Sequence, residues 1–114
     1  MRILFDQNVP RKLRRHPRGH YVITADESGW AESTNGDLLQ LAENAGFDLL
    51  ISTDQNIAYQ QNLAGRRIAL LILNSNHWDE VQSGIPLISE AVAGAGKGSF
   101  VFLEVRPSSN HTTG

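Results

Sequence analysis

Acidic side chains recur directly after apolar runs. Asp6 follows Ile3-Leu4-Phe5, Asp26 and Glu27 follow Tyr21-Val22-Ile23-Thr24, and Asp54 stands three residues beyond Leu49-Leu50-Ile51. A fourth run, Ile68-Ala69-Leu70-Leu71-Ile72-Leu73, leads into the amides and hydroxyl of Asn74-Ser75-Asn76. If each run is a parallel strand, these side chains converge on one rim beyond the carboxyl ends of the sheet, where open α/β sheets hold ligands. Crowded carboxylates repel: a pair about 4 Å apart costs roughly 4 kcal/mol at an effective dielectric of about 20. A shared proton offsets that repulsion. So does a hard cation such as Mg²⁺, which prefers carboxylate and water oxygens and adds phosphate to its shell. With phosphate present, such an ion activates water against a phosphodiester and neutralises charge on the leaving oxygen.

Several of these residues also have plainer roles. Thr53-Asp54 stands where a helix would begin, so Asp54 is either a cap or a site residue. Asp37 lies three residues after Thr34, the spacing of a capping box, and would favour the positive end of a helix dipole. Asp6 differs, because Asn8 is available to cap the next helix and a carboxylate ending an apolar strand has little structural purpose. Arg11, Lys12, Arg14, Arg15 and Arg18 form a basic run, either a solvated face or a phosphate-contacting patch. His16, His20, His77 and His111 lack the short spacing of zinc ligands. Ser52, Thr53 and Ser75 lack the glycines of a nucleophile elbow. Gly94-Ala95-Gly96-Lys97-Gly98 precedes a strand instead of joining a strand to a helix, so it reads as a hinge and not a phosphate loop.

Apolar runs alternate with helix-period segments, the pattern of a parallel sheet wrapped by helices. The expected strands are Ile3–Phe5, Tyr21–Thr24, Leu49–Ile51, Ile68–Leu73 and Phe100–Val105. The fourth is the longest and most apolar, which places it at the centre of the sheet. Between them the pattern predicts a helix from about Val9 to His16 capped by Asn8, and one carrying Leu38, Leu41, Ala42 and Ala45 that ends at Gly46. A third runs from Thr53-Asp54 to about Ala64. A fourth spans Trp78 to Ala93, split or kinked at Ser83-Gly84 and Pro86. The fold class is therefore α/β, a single three-layer domain with a five-stranded, mainly parallel sheet over residues 1–106, followed by a polar tail, 107–114, expected to be disordered.

The 114 residues suffice for one hydrophobic core. The lack of cysteine excludes a disulfide framework and thiol catalysis. A net charge of -2 argues against coating nucleic acid by bulk attraction. No apolar run approaches the ~20 residues that span a bilayer, so no membrane partner and a cytoplasmic location are expected.

Three motifs then occur in order: Ile3-Leu4-Phe5-Asp6-Gln7-Asn8-Val9-Pro10, then Gly29-Trp30 with Asn35-Gly36-Asp37-Leu38-Leu39, then Ser52-Thr53-Asp54-Gln55-Asn56. Together they resemble the PIN-like proteins of the DUF5615 group, relatives of PIN-domain nucleases and of toxins in toxin–antitoxin pairs. The resemblance runs from Met1 to about Leu73 and more weakly to Val105. It implies a ribonuclease dependent on Mg²⁺ or Mn²⁺, with Asp6, Asp37 and Asp54 as catalytic and metal-holding carboxylates and Asn8 and Asn56 as polar companions. Arg11, Arg14 and Arg15 would then contact RNA phosphates, and an antitoxin protein or a second copy of the chain would be partners. Two positions depart from the family pattern: Asp37 stands where Glu is frequent, and Asn56 where PIN nucleases proper usually have a fourth carboxylate. Asp26 or Glu27 is the nearest substitute for that charge. Two other readings share the fold: a non-catalytic module binding RNA or protein, and a phosphoacceptor receiver using Asp54, with Ser75 and Arg106-Pro107 as its further positions.

Overall fold

The computed structural model describes residues 1–16, 19–33, 35–55 and 65–106. Five strands, β1 (Arg2–Phe5), β2 (Tyr21–Thr24), β3 (Leu49–Ser52), β4 (Ala69–Leu73) and β5 (Phe100–Leu103), form one parallel sheet in the order β2-β1-β3-β4-β5. The helices among the described residues are a 3-10 helix (Arg11–Arg15), α1 (Asn35–Asn44), α2 (Trp78–Ser83) and α3 (Ile85–Ala93). β3 and β4 are buried at every position. Both faces of these strands are covered, and that explains runs with no alternation. The geometric middle is β3, not the longer β4 expected there, because chain order carries no information about which strand lies between two others.

One expected α-helix is instead the 3-10 helix. Pro10 precedes it without a side-chain cap, and its turns close through Leu13 N–H to the Pro10 carbonyl (3.1 Å) and His16 N–H to the Leu13 carbonyl (3.0 Å). The six residues between Pro10 and Pro17 are too few to propagate an α-helix, whose nucleus alone is unfavourable. Asn8 is not its cap. The break near Gly84 is real: α2 and α3 meet there, with Pro86 in the first turn of α3 where a missing N–H costs nothing. Gly46 ends the α1 segment at φ +86°, the left-handed conformation that favours glycine. The expected helix over 54–64 and the tail 107–114 lie outside the described residues, apart from Asp54 and Gln55.

The core forms two layers, one on each sheet face. Leu13 of the 3-10 helix, Val81 of α2 and Ile88 and Val92 of α3 share one layer with Ile3, Phe5, Ile51 and Leu71. Leu38, Leu39 and Ala42 of α1 pack on the opposite layer with Leu4, Leu50 and Leu70. The sheet order makes this arrangement unusual. The β1–β2 connection steps one way across the sheet and the β4–β5 connection steps the other way, yet both cross the same face. Connections stepping in opposite directions share a hand only when they lie on opposite faces. The last crossover is therefore opposite in hand to the first, in a class of connection where about 98% are right-handed. Its consequence is local: α2 lies against the 3-10 helix.

The α2–α3 joint is tightly packed. A Cβ at Gly84 would lie 2.5 Å from Val105 Cγ1 and 3.0 Å from Val105 Cβ. Gly84→Ala should lower stability by about 1–3 kcal/mol, the usual cost of overpacking. Urea denaturation checks this, with the midpoint falling at unchanged slope and Val105→Ala recovering part of the loss.

Candidate functional site

β1 and β3 are neighbours near the middle of the sheet, and their carboxyl ends carry the two strand-end aspartates. Asp6 continues the pairing, its N–H donating to the Ile51 carbonyl at 2.9 Å. The residue is only 7% exposed. A buried carboxylate needs donors, and two are present: Gln7 N–H reaches Oδ1 at 2.8 Å and the fully buried Ser52 hydroxyl reaches Oδ2 at 2.8 Å. The same Ser52 oxygen accepts the Asp54 N–H at 3.0 Å. One hydroxyl thus links the Asp6 carboxylate to the backbone of Asp54. Asn8 adds a second tie, its Oδ1 accepting the Thr53 N–H at 3.3 Å. That contact uses the side chain expected to cap the helix.

Asp54 is half-buried beside this pair, and Asp37 stands exposed in the first turn of α1. Asn56 lies outside the described residues, as do Thr34 and Arg18. Among the described residues no three His, Asp or Glu side chains form a group able to hold a metal ion. The strand ends therefore join Asp6 to the backbone of Asp54 through Ser52, with no third carboxylate gathered to them among the described residues. Two oxygen-bearing residues are still a suitable donor set for Mg²⁺, which is commonly held by one or two carboxylates with water and phosphate completing its shell.

Asp26 and Glu27 are engaged elsewhere. Asp26 is exposed and pairs with Arg11 at 3.3 Å. Glu27 Oε1 accepts the Thr24 N–H at 3.0 Å while Thr24 Oγ1 accepts the Glu27 N–H at 3.1 Å, the reciprocal bonds of a capping box. Arg14 also bonds Glu27 and donates to the Val22 carbonyl at 3.2 Å. The Arg14 hydrogen bond first, then the Thr24 N–H, hold the Glu27 carboxyl down to about 2 from an ordinary 4.5. Of the three arginines expected to meet phosphate, Arg14 is committed to the β2 loop, Arg11 is paired at the surface, and Arg15 is exposed.

On the other side of the sheet centre, Asn74 Oδ1 accepts the Val105 and Arg106 N–H groups at 2.8 Å each. Arg106 Nε donates to Glu80 at 3.1 Å, and the buried Ser75 hydroxyl bonds the same Glu80 oxygen. These bonds fasten β4, α2 and the end of β5 together. The side chain that a receiver would need near Asp54 is thus held by Glu80. The residue missed by the sequence reading is Ser52. Its only signal was its place between Ile51 and Asp54, because a hydroxyl that orients carboxylates has no motif.

Compared with known proteins, the chain matches no family model, no curated protein and no solved structure. The fold and site therefore define only a class: a five-stranded, all-parallel α/β domain with a buried aspartate at the carboxyl end of an interior strand. No helix among the described residues is long and apolar enough to cross a membrane.

Glu27 gives a pH test. Its folded pKa lies below the unfolded value, so its contribution is complete above about 4.5 and is lost as the pH falls toward about 2. Glu27→Gln should lose stability less steeply than the unsubstituted chain across that interval, as read from denaturation midpoints.

Proposed function

We propose that this chain is a PIN-like endoribonuclease that uses Mg²⁺ or Mn²⁺ at the Asp6–Asp54 rim, restrained in its host by an antitoxin protein. The observation supporting this most is Asp6, 7% exposed at a strand end, its carboxylate fixed by two donors and, among the described residues, paired with no arginine. Asp6 would hold the ion with Asp54 beside it, and the bound ion would supply an activated water and charge neutralisation at the scissile phosphate. Ser52 orients the Asp6 carboxylate and fixes the backbone of Asp54, so one carboxylate and the chain that carries the other are held before RNA arrives. Asn8 holds the β3 loop against the β1 loop. In this reading Asp37, in the first turn of α1, would be the third carboxylate toward the ion or its water.

A second reading is favoured by one observation: no three carboxylates are gathered among the described residues. In that reading the chain binds RNA or protein without turnover. Two measurements separate them. The nuclease reading expects Mn²⁺ binding by calorimetry and Mn²⁺-dependent cleavage of single-stranded RNA. Asp6→Asn should remove the binding and reduce cleavage at least about 100-fold with an unchanged circular dichroism spectrum. Ser52→Ala should lower cleavage less and also cost about 1–3 kcal/mol of stability, because it leaves a buried carboxylate short of a donor. Chelator-insensitive RNA binding with no cleavage in either metal would establish the binding module instead.

A further inference from the structure

The same-face crossover brings α2 against the 3-10 helix, and a cavity of about 450 Å³ opens between them. Its lining is basic and aromatic: Arg11, Lys12, Arg14, Arg15 and His16 from one side, Trp78 from the other. The Lys12 ammonium stands 5.8 Å from the centre of the Trp78 ring, and the His16 ring lies 6.1 Å away, tilted by 33°. Among the described residues neither Lys12 nor Arg15 pairs with a carboxylate, whereas Arg11 and Arg14 both do. Two positive charges without a carboxylate partner among the described residues therefore share a cavity with an indole, in a chain whose net charge is -2.

From this arrangement we infer that Trp78 is a stacking platform for an unpaired nucleobase, with Lys12 and Arg15 binding the adjoining phosphates of single-stranded RNA. The inference rests on the proposed RNA-directed function and specifies its substrate as unpaired. A base paired within an A-form helix keeps its face stacked on its neighbours, whereas a splayed base presents that face to an aromatic side chain. Lys12 covers one side of the indole by a cation–π contact, and its flexible stem lets a base displace it. The released ammonium then meets the phosphate that arrives with the base. An acidic peptide would satisfy the two cations but has no use for the half-buried indole that shares their cavity. The cations beside the platform are joined to the candidate site by a short stretch of chain, since Asp6 precedes the 3-10 helix by only the Gln7–Pro10 loop.

The test uses the full chain with EDTA present, so that no cleavage intervenes, and a fluorescein-labelled single-stranded RNA 12-mer together with the same sequence as a duplex. Trp78→Ala should weaken single-strand binding about 10-fold or more while changing duplex binding less than about 2-fold. Trp78→Phe, which keeps an aromatic face and guards against a folding defect, should retain affinity within about 3-fold. Arg15→Ala should weaken both RNAs and flatten the salt dependence. In a Trp30→Phe background the remaining indole should be quenched by the single strand. Single-strand binding unaffected by Trp78→Ala, with cleavage still lost in Asp6→Asn, would overturn the platform and leave the nuclease reading standing. Absence of any RNA binding by the unsubstituted chain at low salt would overturn both, and capture of a polyglutamate peptide in its place would assign the groove to a protein partner.

Discussion

Burying a carboxylate at the end of an interior strand is the demand around which the rim is organised. Asp6 cannot sit 7% exposed between β2 and β3 unless hydrogen bonds replace the water it gives up. Its own following N–H supplies one, and Ser52, from the neighbouring strand, supplies the other. Because the Ser52 oxygen also accepts from Asp54, solvating the first aspartate fixes where the chain leaves β3. Asn8 repeats the device in the reverse direction, from the β1 loop to Thr53. The two loops are thus positioned by polar bonds at the rim, while the strands beneath them are held by apolar burial on both faces.

Charge is divided by location in the same economical way. The 3-10 helix is strongly basic, yet the loop after β2 returns Asp26 and Glu27 to it, and these take up Arg11 and Arg14. Exposed pairs of this kind contribute little stability individually, so their main effect here is on the potential they leave behind. Among the described residues they leave Lys12 and Arg15 as the cations of this helix without a carboxylate partner, in the cavity that Trp78 also lines. The acids of the β2 loop are therefore consumed in shaping the basic surface and add nothing to the carboxylates of the central rim. At the opposite end of the sheet Glu43 plays a purely structural part, accepting the Arg67 N–H at 2.6 Å and pairing with Arg66 at 3.0 Å.

Much of the framework was readable because its causes are local. Four-residue apolar runs made the strands evident, glycine at φ +86° ended α1 where position 46 suggested, and Gly84 with Pro86 marked a joint. Asp6 was legible for a related reason: a carboxylate closing an apolar run has few structural uses. What was not legible depends on contacts distant in sequence. Asn8 looked like a helix cap because its partner, Thr53, is 45 residues away. The bond of Arg14 to Glu27 was not legible because it requires the β2 loop to fold back. Trp78 looked like one more residue of an amphipathic helix, since helical period reveals which residues share a face but not which side of the sheet that face will cover.

The crossover between β4 and β5 is where that last ambiguity has functional weight. Had α2 and α3 crossed on the α1 face, as a uniform hand would require, Val81, Ile88 and Val92 would have extended the Leu38–Ala42 layer. Trp78 would then stand across the sheet from Lys12 and His16, and no basic groove with an aromatic wall would exist. The reversed hand also leaves Phe100 and Phe102 of β5, 42% and 43% exposed, on the face that α2 and α3 do not cover. Exposed aromatic surface on an edge strand is unfavourable for an isolated domain, because it invites association. The same crossover brings α2 against the 3-10 helix and sets the Trp78 indole in one cavity with Lys12 and Arg15, which pair with no carboxylate among the described residues.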